Sequence, residues 1–77
     1  MSIQVKFFGP LIEVVGKSEI EMIGIFDSDS LRKTILNDFP DLKNFTFLIS
    51  VCRKITMKNT AIKSGDEVAV LPPFAGG

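Results

Sequence analysis

The stretch DSDSLRKTILNDFP, residues 27–40, carries the clearest secondary-structure signal in this chain. Its apolar residues Leu31, Ile35 and Phe39 recur every four positions, so they lie on one stripe of a helix whose other sides are mainly polar. A helix with a single apolar stripe has to bury that stripe against another layer of structure. The stretch therefore predicts one main helix packed on one face of a sheet.

Both ends of this helix are marked in the sequence. Asp27, Ser28 or Ser30 can accept hydrogen bonds from the free N–H groups of the first turn, and acidic residues suit the positive end of the helix dipole. Pro40 cannot continue a helix. We therefore expect the helix to run from about residue 28 to about residue 39.

Two alternating stretches precede the helix. SIQVKFF, residues 2–8, and SEIEMIGIF, residues 18–26, both alternate apolar with polar side chains, which is typical of half-buried strands. The alternation leaves Phe8 on the polar face of the first strand. The intervening LIEVVG is short and closed by Gly16, so we expect a helical turn or two between the strands. The residues expected to point inward from the first strand are Ile3, Val5 and Phe7.

Three further strands are expected after the helix. FTFLISV, residues 45–51, is predicted to form one, RKITM, residues 53–57, a short one, and Glu67–Leu71 the last, which follows a Ser-Gly-Asp turn. The resulting order, β-β-α-β-β-β, indicates an α+β domain with a mixed sheet. This is the order of the ubiquitin-like β-grasp fold, in which the first and last strands are central neighbours.

The length of 77 residues leaves room for one domain. We expect a β-grasp domain over residues 1–71. Residues 72–77 are expected to form an extended tail that projects from the edge of the sheet.

Composition excludes several classes of function. Nine basic and nine acidic residues cancel, so bulk charge indicates neither nucleic acid nor an anionic membrane as a partner. The absence of histidine excludes Ser-His and Cys-His catalytic pairs and a Cys/His zinc site, so we expect no metal and no catalysis by the domain alone. No stretch is long and apolar enough to span a bilayer, and the opening residues indicate a strand instead of a signal peptide, so we expect a cytoplasmic protein.

The ending LPPFAGG, residues 71–77, is an unusual way to finish a small fold. Two prolines hold the chain extended, and the small residues after the aromatic one suit a narrow channel in which the backbone approaches a reactive centre. Six extended residues reach roughly 20 Å, enough to insert into another protein. The residues expected to insert are Pro72, Pro73, Phe74, Ala75 and Gly76.

The reactive group delivered by such a tail is the α-carboxylate of Gly77. A carboxylate is a poor electrophile, but its adenylate, formed with ATP, is a mixed anhydride that accepts sulfide, a persulfide or a thiol. Because glycine has no Cβ, this carbonyl is sterically open. The tail is therefore predicted to be a reactive arm, and the alternative is an incidental flexible end.

The segments VKFFGPLIEVVG, residues 5–16, and SGDEVAVLPPFAGG, residues 64–77, resemble the MoaD family of small, ubiquitin-like subunits of molybdopterin synthase. The resemblance covers essentially the whole chain. It implies that a MoeB-like adenylyltransferase uses ATP to activate Gly77, which then carries sulfur as a thiocarboxylate. It also implies insertion into a MoaE-like large subunit, within a heterotetramer, and sulfur donation to the dithiolene of molybdopterin, with no permanently bound cofactor.

The same resemblance gives three residues a role in docking. Phe8, Ile55 and Leu71 match family positions that form an apolar patch for the partner. Alternation already turns Phe8 and Leu71 away from the core. For each of the three, the alternative is simple packing against a loop.

Cys52 departs from the family pattern, which commonly has Asn at this turn position. Asn tolerates a left-handed backbone more readily than Cys does, so we expect the turn to differ in shape. A reactive thiol beside Arg53 and Lys54 is one interpretation, and a small buried hydrophobic residue is the more ordinary one.

Several other functions remain open from the sequence. A carrier of this kind can serve thiamin thiazole formation, tRNA thiolation or cysteine synthesis, and the residues are compatible with either a molybdenum or a tungsten cofactor. A ubiquitin-like modifier would join Gly77 to a lysine of another protein. A plain interaction module would use the sheet and leave the tail without a role.

Overall fold

The computed structural model describes residues 2–73 of the chain. The helices and strands in chain order are β1 (Ser2–Phe7), α1 (Pro10–Val15), β2 (Glu19–Ile23), α2 (Ser28–Asp38), a 3-10 helix (Pro40–Asn44), β3 (Leu48–Val51), β4 (Lys54–Ile55) and β5 (Glu67–Leu71). Within residues 2–73, no helix is long and apolar enough to cross a membrane.

The five strands form one sheet in the order β2-β1-β5-β3-β4. The first and last strands are parallel neighbours, with Val5 opposite Val68 and Phe7 opposite Val70, whereas the other pairs are antiparallel. This topology confirms the predicted β-grasp class. Because β5 is the middle strand, the tail begins at the end of a central strand and not at an outer edge of the sheet.

The apolar stripe of α2 packs against this sheet as predicted. Leu31 and Ile35 are fully buried within the same core cluster as the inward side chains of β1 and β5. Phe39 follows the last helical residue and is half-buried, with its ring edge-on to that of Phe7 at 6.4 Å between centroids. The helix therefore ends one residue before the expected position, and the stripe continues past it.

Asp27 is the residue that caps α2. Its carboxylate accepts a hydrogen bond from the backbone N–H of Ser30 at 2.8 Å and a longer one from the side-chain amide of Asn59 at 3.4 Å. The side-chain oxygen of Asn59 in turn accepts a hydrogen bond from the backbone N–H of Asp29 at 3.0 Å. These hydrogen bonds, those with Ser30 foremost, hold the pKa of the Asp27 carboxyl below its ordinary value. The loop around Asn59 is thereby tied to the start of the helix.

The strand predicted over residues 45–51 is shorter than expected, since β3 begins at Leu48. Leu48 lies opposite Leu71, the last residue of β5. The Cys52 N–H donates to the Glu67 carbonyl, so alternate residues of β5, at positions 67, 69 and 71, turn their N–H groups toward β3. The next residue on that side is Pro73, which has no N–H to donate to the ladder. Pairing therefore stops there, and the prediction of strand structure over residues 45–47 is wrong.

Two further short segments also differ from the prediction. The strand expected over residues 53–57 is limited to Lys54–Ile55, because Arg53 belongs to the turn that precedes it. Pro40 ends α2 but also starts the 3-10 helix, which is absent from the predicted order of elements. That helix buries Leu42 completely, so it closes one end of the core.

Candidate functional site

The face of the sheet that points away from α2 carries the candidate docking residues. Ala69 and Leu71 of β5 alternate with buried valines and therefore point to this side. Leu48 and Ser50 of β3 lie opposite them, and Lys6 of β1 lies beside Ala69. We call this side the outer face.

Two predicted docking residues lie at the end of the outer face where the tail begins. Phe8 directly follows β1 and has 44% of its surface exposed, and Leu71 closes β5 and is half-buried. Each comes one residue after a core residue of the parallel pair, Phe7 or Val70. Alternation therefore carries both side chains to the outer face, on neighbouring strands.

The third predicted residue, Ile55, lies on the same face. It is opposite Ser50, which is itself opposite Ala69, and directly opposed residues of an antiparallel pair share a face. Ile55 is 38% exposed. The three candidates thus span four adjacent strands, a width of about 14 Å at the usual strand spacing.

Sequence reasoning missed Leu48, which lies between the predicted residues. It is half-buried and opposite Leu71. No local signal marked it, because its place on the outer face follows only from its register with Leu71. We use the name outer apolar patch for Phe8, Leu48, Ile55, Ala69 and Leu71.

The tail begins beside this patch. Pro72 is half-buried and Pro73 is exposed. The other residues predicted to insert, Phe74, Ala75 and Gly76, and the predicted reactive residue Gly77 lie outside the described part of the chain, so their roles stay predictions.

Cys52 lies in the two-residue turn between β3 and β4. Its thiol is free and exposed, so the interpretation of this residue as a small buried hydrophobic side chain is wrong. Cys52 and Arg53 have φ angles of 52° and 68°, the left-handed conformation that type I′ hairpins require at both positions. The backbone N–H of Cys52 donates to the carbonyl of Glu67 at 2.8 Å, which fixes this turn against β5.

Within residues 2–73, no group of three or more His, Cys, Asp or Glu side chains is placed to hold a metal ion. The arrangement is suited to protein contact through an apolar face.

The similarity of this chain to known proteins extends over essentially its whole length. The model of the ThiS family matches residues 5–77. A Caenorhabditis elegans protein named molybdopterin synthase sulfur carrier subunit is 33% identical over 87 aligned positions, which cover 100% of this chain and 99% of the relative.

Solved structures agree with this result. In a Helicobacter pylori complex of subunits 1 and 2 of molybdopterin-converting factor, the matching chain is 30% identical, with a TM-score of 0.73 and full coverage of both chains. Small archaeal modifier protein 1 of Methanosarcina acetivorans has a TM-score of 0.80 at 22% identity, over 99% of this chain and 96% of that one, a likeness that shows the shared β-grasp fold alone. The family match and the relative that aligns over nearly its full length show that the chain belongs to the ThiS family.

Proposed function

We propose that this chain is the sulfur-carrying small subunit of a molybdopterin synthase. The observation that carries the proposal is the 33% identity to a relative named molybdopterin synthase sulfur carrier subunit, over 100% of this chain and 99% of the relative. A β-grasp domain with an apolar outer face beside the tail supports the same role, because a carrier needs a surface that partners recognise.

The proposed chemistry takes place at the Gly77 carboxylate. A MoeB-like adenylyltransferase joins this carboxylate to the AMP part of ATP and releases pyrophosphate. Hydrosulfide then attacks the acyl carbon and displaces AMP, which leaves a thiocarboxylate. On donation, sulfur forms a new bond to a carbon of the pterin precursor and an oxygen substituent leaves that carbon. Water then hydrolyses the acyl–sulfur bond, which leaves sulfur on the precursor and restores the carboxylate. The proposal places these steps in the cytoplasm, where ATP is available.

The outer apolar patch is the proposed docking surface for a MoaE-like large subunit. A subunit 1–subunit 2 complex is known for the Helicobacter pylori relative, which is 30% identical to this chain. Phe8 and Ile55 are large apolar side chains with 44% and 38% of their surface exposed, and burying them on association is favourable. Ala69, which is half-buried, lies between them and is small, so a partner can approach the sheet closely there.

A carrier for another acceptor is the second candidate. It is favoured by the family match itself, because the model that covers residues 5–77 is that of the ThiS family and does not specify molybdopterin. The two candidates share the thiocarboxylate and differ in the protein that receives it.

Reconstitution with the large subunit separates the two candidates. The chain is prepared with a Gly77 thiocarboxylate and mixed with a molybdopterin synthase large subunit and the sulfur-free pterin precursor. We expect dithiolene to form while two thiocarboxylates are converted to carboxylate for each dithiolene, and the unmodified carboxylate form serves as the control. If the thiocarboxylate stays intact here but is consumed by a thiazole-forming enzyme, the proposal is wrong and the second candidate is correct.

A further inference from the structure

The turn after β1 has a backbone conformation that favours glycine. Gly9 has φ 60° and ψ −140°, the mirror image of extended backbone, in which the Cβ of an L residue is strained. Pro10 follows at the first position of α1, and the N–H of Leu11 donates to the carbonyl of Phe8 at 3.3 Å. Residues 8–11 therefore form a tight turn whose shape depends on Gly9.

The root of the tail lies against this turn. A Cβ atom at position 9 would lie 3.3 Å from Cγ of Pro72 and 3.9 Å from Cδ, and the first distance is shorter than ordinary van der Waals contact. The bare Cα of Gly9 thus leaves the space that the Pro72 ring needs. We call this the tail-root contact.

The other glycines of positive φ within residues 2–73 have no such neighbour. At Gly16, Gly24 and Gly65, an added Cβ would meet nothing within 4 Å. These positions use glycine for backbone conformation alone. Gly9 combines that requirement with a close approach to the tail, so the two effects can be separated by experiment.

The tail-root contact joins the ends of the two central strands. β1 and β5 are parallel, so Gly9 and Pro72 both lie just beyond the last paired residues at the same end of the sheet. Phe8 and Leu71, the neighbouring residues, belong to the outer apolar patch. The position at which the chain leaves the sheet, at Pro72, is therefore fixed relative to the outer apolar patch.

We propose that Gly9 is a positioning residue for the tail and acts through Pro72. The inference rests on the proposed function, because a fixed starting direction matters only if the tail delivers a reactive end. A partner that holds the outer apolar patch then receives the tail at a constant angle, and small misplacements of reacting groups slow chemistry strongly. A ring and a glycine in contact achieve this without any hydrogen bond.

A double-mutant cycle tests the coupling between the two residues. Gly9→Ala, Pro72→Ala and the double variant are compared for the rate of Gly77 adenylation at saturating adenylyltransferase, and for their unfolding temperature. We expect each single variant to be slower by about tenfold and the double variant to be no slower than the slower single one. Pro72→Ala removes Cγ and Cδ without changing Gly9, so the test survives if Gly9→Ala fails to fold.

Gly16→Ala is the matched control, since Gly16 also has positive φ, at 88°, but no neighbour at the Cβ position. It should lower the unfolding temperature, leave the adenylation rate within about twofold of the parent, and show no coupling to Pro72→Ala. If Gly9→Ala behaves like Gly16→Ala in rate and coupling, Gly9 has a purely structural role and the inference is overturned.

Nuclear Overhauser effects give a readout that does not depend on the chemistry. Cross-peaks between the α protons of Gly9 and the ring protons of Pro72 are expected in the unmodified protein. Their absence overturns the tail-root contact even if Gly77 is adenylated normally. If the cross-peaks are present but no adenylyltransferase modifies the protein, the tail-root contact stands. The proposed function is then wrong, and the positioning role of Gly9 is wrong with it.

Discussion

Leu71 of β5 lies directly opposite Leu48 of β3 on the outer face, one residue before the tail begins. At the other end of the same face the pairs are polar or mixed, with Gln4 opposite Glu21 and Ser2 opposite Ile23. The apolar part of the outer face is thus concentrated beside the tail. A partner that binds both the outer apolar patch and the tail has to approach from this end of the sheet.

Replacing Phe8 by Asp should weaken binding of the large subunit without unfolding the domain. Phe8 is 44% exposed, so the fold loses little, but a charge in an apolar interface has to be desolvated. We expect the Kd, measured by titration calorimetry, to rise by about tenfold or more, which corresponds to about 1.4 kcal/mol.

Ile23→Asp is the control for this prediction. Ile23 is a large apolar residue on the same face, 74% exposed, but it lies at the end away from the tail. Its replacement should leave the Kd nearly unchanged. Equal losses of affinity in the two variants would contradict docking at the tail end of the outer face. A large fall in the unfolding temperature of Phe8→Asp would assign the Phe8 side chain to the core.

Replacing Gly77 by Ala should slow sulfur transfer while the domain stays folded. The added methyl group lies next to the reacting carbonyl, where a confined channel has no space for it. We expect the single-turnover rate to fall by about a hundredfold. A chain extended past Gly77 should be inactive, because its free carboxylate is at a different residue. Parent-like transfer by Gly77→Ala would contradict a tightly confined tip.

Replacing Cys52 by Asn should stabilise the protein. Both turn residues have left-handed backbones, and Asn adopts this conformation with less strain than Cys. We expect a gain of about 0.5–1 kcal/mol in the free energy of unfolding, measured by urea titration. Cys52→Ser removes the thiol without the conformational preference of Asn and should change stability little. An unchanged or lower stability of Cys52→Asn would contradict a left-handed turn.

Much of the fold follows from local patterns in the sequence. The period of two in β1 and the single apolar stripe of α2 each require one buried face, so Val5 and Leu31 are core residues with almost no alternative. The β-grasp order follows once these elements are recognised. The sequence also predicts that Phe8 is exposed, because Phe8 occupies a position on the polar side of an alternating strand.

The parts that were missed depend on contacts between distant segments. The start of β3 depends on Pro73, which follows another strand, and the capping role of Asn59 depends on a loop far away in sequence. Leu48 has no unusual local context and became a candidate only when its register with Leu71 was known. The close approach of Pro72 to Gly9 likewise appears only when β1 and β5 are placed side by side.

Acid should weaken the folded state partly through Asp27. Its pKa is lowered in the folded protein from an ordinary value of 3.8, so the carboxylate contributes stability that is fully present above this value and is lost as the pH falls through the lower folded pKa. Asp27→Asn keeps an oxygen that accepts the N–H of Ser30 but does not titrate. Between about pH 6 and about pH 3, the parent should therefore lose more stability in urea titrations than Asp27→Asn does. Parallel losses in both proteins would contradict this role.

Gly77 is proposed to carry sulfur, and intact mass spectrometry is the most direct way to detect it. The chain is co-expressed with an adenylyltransferase and a sulfur source, purified, and compared with a sample made without the adenylyltransferase. We expect a mass gain equal to replacing one oxygen by sulfur, localised to the peptide that ends at Gly77 and present only with the adenylyltransferase. An unmodified terminus, under conditions that convert a known carrier to its thiocarboxylate, would contradict this role of Gly77.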